Sequence, residues 1–221
     1  MSLVLVTGAA RANSIAAGIV PRLAADGWVV LTSDLDAGDY PCDLSTTEGP
    51  TELIERVTAD HGRLSGLVLS HAHDVESGVL DTTAASFDAH VAVNARASLL
   101  MIAAFARQAG GSGGAIVAFT SDHTTGNLPY GASKGALDRI VISAARELGP
   151  RGISANVVNP GPIDTGWMTD QLRDGMIPQH PLGRLGTPHD IAAVTSFLLS
   201  EEGRWVSGQL LNTDGGFSAR Y

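Results

Sequence analysis

Short apolar runs rich in β-branched residues alternate with longer stretches of helical periodicity along the whole chain. The runs predict strands at residues 3–7, 28–33, 66–70, 115–120, 153–158 and 209–211. The stretches between them predict helices at residues 14–25, 51–60, 84–109, 129–148 and 189–199. Strands that are apolar throughout and separated by helices are typical of a parallel sheet covered on both faces. The pattern therefore predicts a single α/β domain, residues 1–221, with a Rossmann-type, doubly wound parallel sheet.

One connection in this pattern is too short for the usual topology. Only six residues lie between Ser33 and Tyr40, whereas a parallel crossover needs about 10–12 residues or more. We therefore predict that the helix usually found between strands two and three of a Rossmann-type sheet is missing. A third strand at this position is then lost, very short, or reached by a bare loop. The predicted helix 51–60 then leads to residues 66–70, which take the place of the usual strand four.

Composition excludes several classes of partner. The net charge is −9 and the basic residues form no cluster, which argues against nucleic acid. Cys42 is the only cysteine, which fits a reducing compartment. The first residues lack the pattern of a signal peptide, and the apolar run Leu3–Val6 is far shorter than the about 20 residues of a membrane span. We expect a cytoplasmic protein that acts on a small molecule, without nucleic acid or membrane.

The first predicted strand runs directly into a turn that opens a helix. In an open α/β sheet, ligands bind beyond the carboxyl ends of the strands. Gly8 permits a tight turn, and Ser14 is a natural N-cap whose helix offers free N–H groups to a pyrophosphate. Arg11 and Ile15 belong to the same segment. The usual three glycines are missing, so an ordinary strand–turn–helix is the alternative.

Asp34 follows the second predicted strand. A carboxylate at this position accepts hydrogen bonds from the ribose hydroxyls of NAD and repels the additional phosphate of NADP. Arg11 has the opposite effect, because a guanidinium in the turn pairs with that phosphate. We predict NAD as the cofactor, with NADP less favoured, and a plain turn residue is the alternative role for Asp34.

Tyr130 and Lys134 are four residues apart at the start of a predicted helix, so they share one helix face. A nearby ammonium stabilises phenolate and is expected to lower the pKa of the tyrosine toward working pH. Tyr130 is therefore a candidate general acid/base for an alcohol–ketone pair. A surface pair is the alternative, but the position after a strand of a sheet that begins with a phosphate turn favours the catalytic interpretation.

Several further segments form a recognisable set with this pair. They are Thr7-Gly8, Cys42-Asp43-Leu44, Val93-Asn94, Asn159-Pro160-Gly161-Pro162-Ile163-Asp164-Thr165, Pro181-Leu182-Gly183-Arg184-Leu185-Gly186 and Asn212-Thr213-Asp214-Gly215-Gly216. With them the chain resembles the short-chain dehydrogenase/reductase family over nearly its whole length. The resemblance implies hydride transfer between a nicotinamide cofactor and a secondary alcohol or ketone, including substrates of the 3-oxoacyl type.

The resemblance also implies residue roles. Tyr130 exchanges the proton, Ser121 binds the substrate oxygen, Lys134 holds the nicotinamide ribose, and Asn94 supports a water that links Lys134 to solvent. Asp43 and Leu44 frame the adenine. The nicotinamide is framed by Pro160, Gly161, Ile163 and Thr165. A homodimer or homotetramer built on helices 84–109 and 129–148 is implied as well.

The chain departs from the family at the turn and around the serine. The spacing of Gly8 and Ser14 is similar to that of divergent enoyl-thioester reductases, but those place the lysine further from the tyrosine, so carbonyl chemistry is favoured. Only nine positions separate Ser121 from Tyr130, fewer than is usual. Strand register favours Ser121, and Thr120 and Thr124 are alternatives.

Histidines replace part of the family's Asn-Asn-Ala-Gly segment. The sequence there is Ser70-His71-Ala72-His73. With His123 this pair suggests a metal site, but no acidic or thiol ligand completes it, so we predict no metal. Hydrogen-bonded structural histidines are the first interpretation, and a contact of His73 or His123 with substrate is the second. His90 is interpreted as an ordinary helical residue.

The segment 164–187 is long and rich in glycine and proline. Loops of this length inside compact domains are usually lids or binding loops. We predict a substrate-binding loop whose apolar residues line a pocket; they are Trp167, Met168, Met176 and Ile177. A plain surface loop is the alternative.

Two other functions are alternatives to hydride transfer on an alcohol or ketone. One is a dinucleotide-binding sensor without turnover, which the altered turn permits. The other is an enoyl-thioester reductase, which the spacing of the turn permits.

Overall fold

The computed structural model describes residues 2–166 and 168–219, so the predicted pocket residue Trp167 lies outside the described residues. The strands are β1 Leu3–Thr7, β2 Val29–Ser33, β3 Gly66–Leu69, β4 Gly114–Phe119, β5 Ile153–Asn159 and β6 Leu210–Asn212. The helices are α1 Ile15–Ala25, α2 Gly49–His61, α3 Ala84–His90, α4 Ala97–Ala109, α5 Leu128–Leu148, α6 Asp170–Met176 and α7 Pro188–Leu199. All predicted strands and helices are confirmed within one or two residues at their ends, apart from the predicted helix 84–109, which is divided.

All strand pairs are parallel, and the strand order is β2-β1-β3-β4-β5-β6. The chain moves outward from β1 to β2 and then returns to the other side of β1 to begin β3. The topological switch point therefore lies between the carboxyl ends of β1 and β3, where ligands of open α/β sheets bind. Thr7 lies opposite Leu69 in this pair, so Gly8 and Ser70 meet at the switch point.

Two apolar clusters cover the two faces of the sheet. One contains Leu53 of α2, Phe105 of α4 and Leu137 of α5, all fully buried. The other contains Ile19 of α1 and Ile191 of α7. A sheet with helices on both faces explains why its strands are apolar throughout instead of alternating.

The segment after β2 confirms the predicted loss of a helix. Residues 34–48 form turns and contain neither a helix nor a regular strand. The Tyr40 N–H donates to Thr32 O and the Cys42 N–H donates to Asp34 O, at 3.0 and 2.9 Å. The chain thus runs briefly beside β2 as a bare loop, in the place of a further strand.

The predicted helix 84–109 is divided by a π-helical turn, Val91–Arg96, between α3 and α4. By length and composition, the stretch Ala84–Ala109 is the one helix of residues 2–166 and 168–219 that is apolar enough to cross a membrane, and 56% of its most apolar window is buried inside the domain. A helical stretch that is mostly buried inside the domain is typical of a core helix. The π turn places Asn94 in the interior, with no exposed surface.

Candidate active site

Tyr130 and Lys134 lie in the first turns of α5, just beyond the end of β4. Pro129 occupies the first turn, where its missing N–H leaves no helical bond unmade. The main chain of the preceding loop packs on this turn, because a Cβ added to Gly131 would lie 2.6 Å from His123 O. The turn is thereby fixed between β4 and the switch point. Lys134 is 3% exposed, so the predicted pair is not a surface pair.

The Lys134 ammonium donates one hydrogen bond, from Nζ to Phe119 O at 2.9 Å. An ammonium has three N–H donors, and no other described residue accepts from Nζ. Two donors of a buried cation are therefore available to a ligand. Burial lowers the pKa of Lys134 to about 8, while the carboxylates of Asp138 and Asp74 act in the opposite direction.

The expectation that Lys134 lowers the pKa of Tyr130 is wrong for this structure. Burial raises the pKa of Tyr130 above its ordinary value of 10.0, and the charge of Asp74 raises it further. The lysine ammonium lies 5.6 Å from the centre of the tyrosine ring and is bound to a main-chain carbonyl. Tyr130 therefore holds its proton, which is the state that protonates the oxygen of a ketone.

Asn94 connects the loop after β3 to α5. Its Oδ1 accepts from the His73 N–H at 2.7 Å, and its Nδ2 donates to His73 O at 2.9 Å and to Ser133 Oγ at 2.8 Å. Both Nδ2 donors are therefore used, and the side chain holds the loop after β3, the π turn and α5 together. Asn94 lies within the π turn, and its predicted role in the site stays a prediction.

Ser121 follows β4, and its Oγ accepts from the His123 N–H at 3.1 Å. The alternative Thr120 is 4% exposed and donates to Lys134 O at 3.4 Å, so it faces the interior. Thr124 is exposed. Ser121, one residue beyond Thr120, is half-buried, so its hydroxyl is open to solvent in part and its role stays a prediction.

Asp138 is a charged group near the site that the sequence did not single out. It lies one turn beyond Lys134 on α5, and its Oδ1 is buried without a hydrogen-bond donor among the described residues. Burial raises the pKa of Asp138, whereas the Thr120 hydroxyl and the Lys134 ammonium lower it. The spacing Tyr130, Lys134, Asp138 repeats every four residues, and this was the available signal.

The turn after β1 has the geometry of a phosphate site. Gly8 has φ +71°, and a Cβ there would lie 2.6 Å from Ser70 O, so only glycine permits this approach at the switch point. Ser14 caps α1, with its Oγ accepting from the Ala17 N–H at 3.2 Å. The N–H groups of Ile15 and Ala16 in the first turn have no acceptor within the helix. They are the donors that bind an anion at a helix N-terminus.

Asp34 lies next to this turn. Its Oδ2 accepts from the Ala10 N–H and its Oδ1 from the Leu35 N–H, both at 2.8 Å. These bonds fix the carboxylate at the carboxyl end of β2, and each oxygen retains a lone pair for a ribose hydroxyl. Arg11 is exposed in the same turn.

The remaining predicted cofactor residues lie in two segments. Gly161 has φ +62° and approaches Asp214 so closely that a Cβ would lie 2.4 Å from the aspartate Cβ, and Ile163 pairs with Gly186. Pro160 is buried and Thr165 half-buried in the same segment. In the other segment Asp43 is exposed and its Oδ1 accepts from the Ser45 N–H.

Leu44 requires a correction. Its side chain is 7% exposed and belongs to the core cluster that contains Leu53. The side chain therefore packs inward and is not presented to an adenine. The resemblance located the segment, but burial decides which of its side chains faces the ligand.

A cavity of about 560 Å³ lies between the turn after β1 and the segment 164–187. Its lining includes Asn13 of the turn, Asp164, Arg173 of α6 and His189 of α7, but neither Tyr130 nor Lys134. Arg173 is bound to Asp164 by Nε–Oδ2 at 2.9 Å. The cavity thus adjoins the phosphate turn rather than the catalytic pair, and the segment 164–187 forms its outer wall.

The histidines are mostly structural. His71 is 8% exposed; its Nδ1 is 2.7 Å from Thr7 Oγ1 and its Nε2 is 3.2 Å from Val93 O. His90 is fully buried and bonded through both ring nitrogens, to the Val75 N–H and to Ser86 O. The edge of the His73 ring contacts His90, with 4.6 Å between ring centres. Residues 2–166 and 168–219 contain no group of three potential ligands that could hold a metal.

Fold and site together define a dinucleotide-dependent oxidoreductase: a doubly wound sheet, a phosphate turn at its switch point, and beside it a half-buried tyrosine with a buried lysine. A family model described as "Enoyl-(Acyl carrier protein) reductase" matches residues 8–218. The chain is similar to an uncharacterized oxidoreductase, YjdA, of Bacillus subtilis (strain 168), at 34% identity over 97% of this chain and 96% of that protein.

Two other proteins agree with this match. The chain is 30% identical to the (3R)-3-hydroxyacyl-CoA dehydrogenase of Mus musculus, over 97% of this chain and 95% of that one. A blue fluorescent protein from a metagenomic library, solved in complex with NADPH, has a TM-score of 0.87 at 27% identity over 98% of both chains. The chain belongs to the short-chain dehydrogenase/reductase family, and it is an NAD(P)-dependent oxidoreductase.

Proposed function

We propose that the protein interconverts a secondary alcohol and a ketone, with NAD preferred over NADP. The observation that carries the proposal is the pair of half-buried Tyr130 and buried Lys134 beside the switch point of the sheet. Its lysine has two unused donors and its tyrosine holds a proton. These groups match an alcohol–ketone reaction, in which one proton moves at the substrate oxygen.

The residues present fit a nicotinamide dinucleotide. The free N–H groups of Ile15 and Ala16 suit the pyrophosphate, and the unused donors of Lys134 suit ribose hydroxyls. When bound, the dinucleotide supplies or accepts the hydride. The chain itself orients the substrate through the Ser121 hydroxyl and delivers or removes the proton at Tyr130 Oη.

The preference for NAD rests on Asp34. Two backbone bonds fix its carboxylate beside the turn, and a fixed negative charge opposes a 2′-phosphate. The neighbour solved with NADPH shows that this fold also accepts the phosphorylated cofactor, so the choice depends on the residues at this position.

A thermal-shift titration tests the cofactor. We expect a larger shift with NADH than with NADPH, and a difference that disappears in Asp34→Asn. The exposed Asp36→Asn, two residues further, removes the same charge and is expected to preserve the difference. Since saturating ligand at a hundredfold excess over Kd stabilises the folded state by about 2.7 kcal/mol, the absence of any shift with either dinucleotide would refute the proposal.

Enoyl-thioester reduction is the second candidate, because the matching family model carries that description and the spacing of Gly8 and Ser14 resembles such enzymes. Three residues separate Tyr130 from Lys134, which favours carbonyl chemistry. The two are separated by supplying NADH with an enoyl thioester or with the matching 3-oxoacyl thioester. Oxidation of NADH by the enoyl substrate alone would replace the first candidate by the second.

A further inference from the structure

The segment after β3 is tied to the first turn of α5 by two hydrogen bonds. Asn127 Nδ2 donates to Asp74 Oδ1 at 2.7 Å, and the Leu128 N–H donates to Ser77 O at 2.9 Å. Tyr130 is three residues beyond Asn127 on the same turn. Asp74 is therefore held beside the turn that carries the proposed proton donor.

Two acceptor atoms in this arrangement have no donor among the described residues. Asp74 is exposed and only its Oδ1 is bonded. Asn127 is 2% exposed, and its Oδ1 is buried without a partner. The amide cannot be reversed, because its oxygen would then face the carboxylate of Asp74. An acceptor that stays buried and unpaired is unfavourable, so this pair of side chains is suited to a ligand that brings N–H or O–H donors.

The charge of Asp74 acts on both catalytic side chains. It favours the protonated form of Tyr130 and the charged form of Lys134. The carboxylate is thus within electrostatic range of the place where a substrate oxygen meets the phenol. A group on the substrate near the reacting carbon is within the same field.

The loops around Asp74 carry no permanent cation for an anionic substrate group. Residues 70–83 and 120–127 contain acidic residues but no lysine or arginine. In the segment 164–187 both arginines are already paired, Arg173 with Asp164 and Asp170 and Arg184 with Asp190. A carboxylate on the substrate would therefore meet repulsion at this side of the site, whereas an ammonium would find a charge-assisted hydrogen bond.

We propose that Asp74 is a specificity-determining residue that selects secondary alcohols and ketones bearing a protonated amine next to the reacting carbon, and disfavours carboxylates at that place. The inference rests on the proposed function, because it concerns the substrate of the same site. A hydrogen bond between charged groups is expected to favour the amine over a neutral group by about tenfold to a hundredfold in kcat/KM.

Four alcohols that share the CH3–CHOH unit test the inference. They differ only in the third group: 1-amino-2-propanol, 1,2-propanediol, 2-butanol and lactate. Each is supplied with the dinucleotide that gives the larger thermal shift, to wild type, to Asp74→Asn and to Glu76→Gln. Glu76 is exposed in the same loop, so its variant removes one charge without touching Asn127.

We expect wild type and Glu76→Gln to rank the amine first and lactate last. In Asp74→Asn we expect the amine to lose its preference over 2-butanol and lactate to gain relative to 2-butanol; only these ratios are compared, because the charge of Asp74 also acts on Tyr130 and Lys134. An equal ranking in wild type and Asp74→Asn, or a wild-type preference for 2-butanol over the amine, would overturn the inference. If none of the four alcohols is turned over, their affinities for the dinucleotide-loaded enzyme can be measured by calorimetry. We expect these affinities to follow the same order, and equal affinities for the four alcohols would overturn the inference.

Failure of the proposed function would give a different result. Neither dinucleotide would then produce a thermal shift, regardless of how the alcohols rank. A dinucleotide shift together with an indifferent alcohol ranking refutes the role of Asp74 alone.

Discussion

Acidification should weaken the fold through one buried histidine. His71 is enclosed between β1, β3 and the π turn, and both of its ring nitrogens are bonded. Burial lowers the pKa of His71 to about 3, and the ammonium of Lys134 lowers it as well. A proton on this ring would place a second buried cation beside Lys134 and break the acceptor role of one ring nitrogen.

The magnitude follows from the two pKa values. In the unfolded chain a histidine titrates near 6.5, so below that pH the unfolded state binds a proton that the folded state does not. The contribution is therefore intact above about pH 6.5 and is lost as pH falls toward 3. Each pH unit in this range lowers the free energy of unfolding by about 1.4 kcal/mol. This residue alone should therefore lower it by about 2 kcal/mol between pH 6.5 and pH 5.

Urea denaturation at pH 7.5 and pH 5.0 measures this loss. His71→Asn removes the titration, and asparagine is the residue that the resembling family has here. We expect the variant to lose about 2 kcal/mol less than wild type between the two pH values, whatever its stability at pH 7.5. His123→Asn, at an exposed position, should lose as much as wild type. Equal losses in wild type and His71→Asn would refute the reasoning.

Three further predictions concern the site and the assembly. Tyr130→Phe should lower kcat by about 10²–10⁴-fold with an unchanged dinucleotide thermal shift, and retained turnover would exclude its role as proton donor. Because the pKa of Lys134 is about 8, the lysine loses its charge above pH 8, and the affinity for the dinucleotide should fall there. The carboxylate of Asp138 raises the pKa of Lys134, so Asp138→Asn should move this loss of affinity to lower pH, whereas Asp88→Asn, at an exposed position, should not. We propose a homodimer or homotetramer packed through helices 84–109 and 129–148, so sedimentation at micromolar concentration should give a dimer or a tetramer. Leu99→Arg, at a half-exposed position on α4, should give a smaller species.

The strands and most helices could be predicted because their signals are local. An apolar run such as Ala115–Phe119 shows its burial in the sequence itself. The loss of the crossover after Ser33 was predictable in the same way, since it depends only on chain length. Whether the chain would then add a short strand or a bare loop was left open, because that depends on which main-chain groups of β2 find partners.

The π turn was not predictable from periodicity. Asn94, which lies in this turn, bonds through its side chain to His73 and Ser133, 21 and 39 residues away in sequence. The pattern of 84–109 reads as one continuous helix because apolar residues continue across the turn. Only the tertiary partners of the asparagine show why the helix changes its pitch there.

At the site, identities were predictable and electrostatics were not. Tyr130, Lys134 and Gly8 follow from spacing and position. The direction of the pKa of Tyr130 was wrong because it depends on burial and on the bond from Lys134 to Phe119 O, neither of which spacing reveals. The inward direction of Leu44 was missed for a similar reason. The roles of all the predicted site residues, Tyr130 and Lys134 included, and the state of assembly stay predictions.

The bare loop after β2 also determines how the sheet ends. At Thr32 the main-chain N–H donates to the Asp39 carboxylate and the carbonyl accepts from the Tyr40 N–H. An edge whose polar groups are already bonded, and which carries a carboxylate, cannot readily accept a strand from another molecule. The opposite edge is β6, three residues long with Leu210 partly exposed. The shortened crossover therefore protects the β2 edge against aggregation. A strand added by design, or a sheet that continues from one copy of the protein to the next, would have to pair with β6.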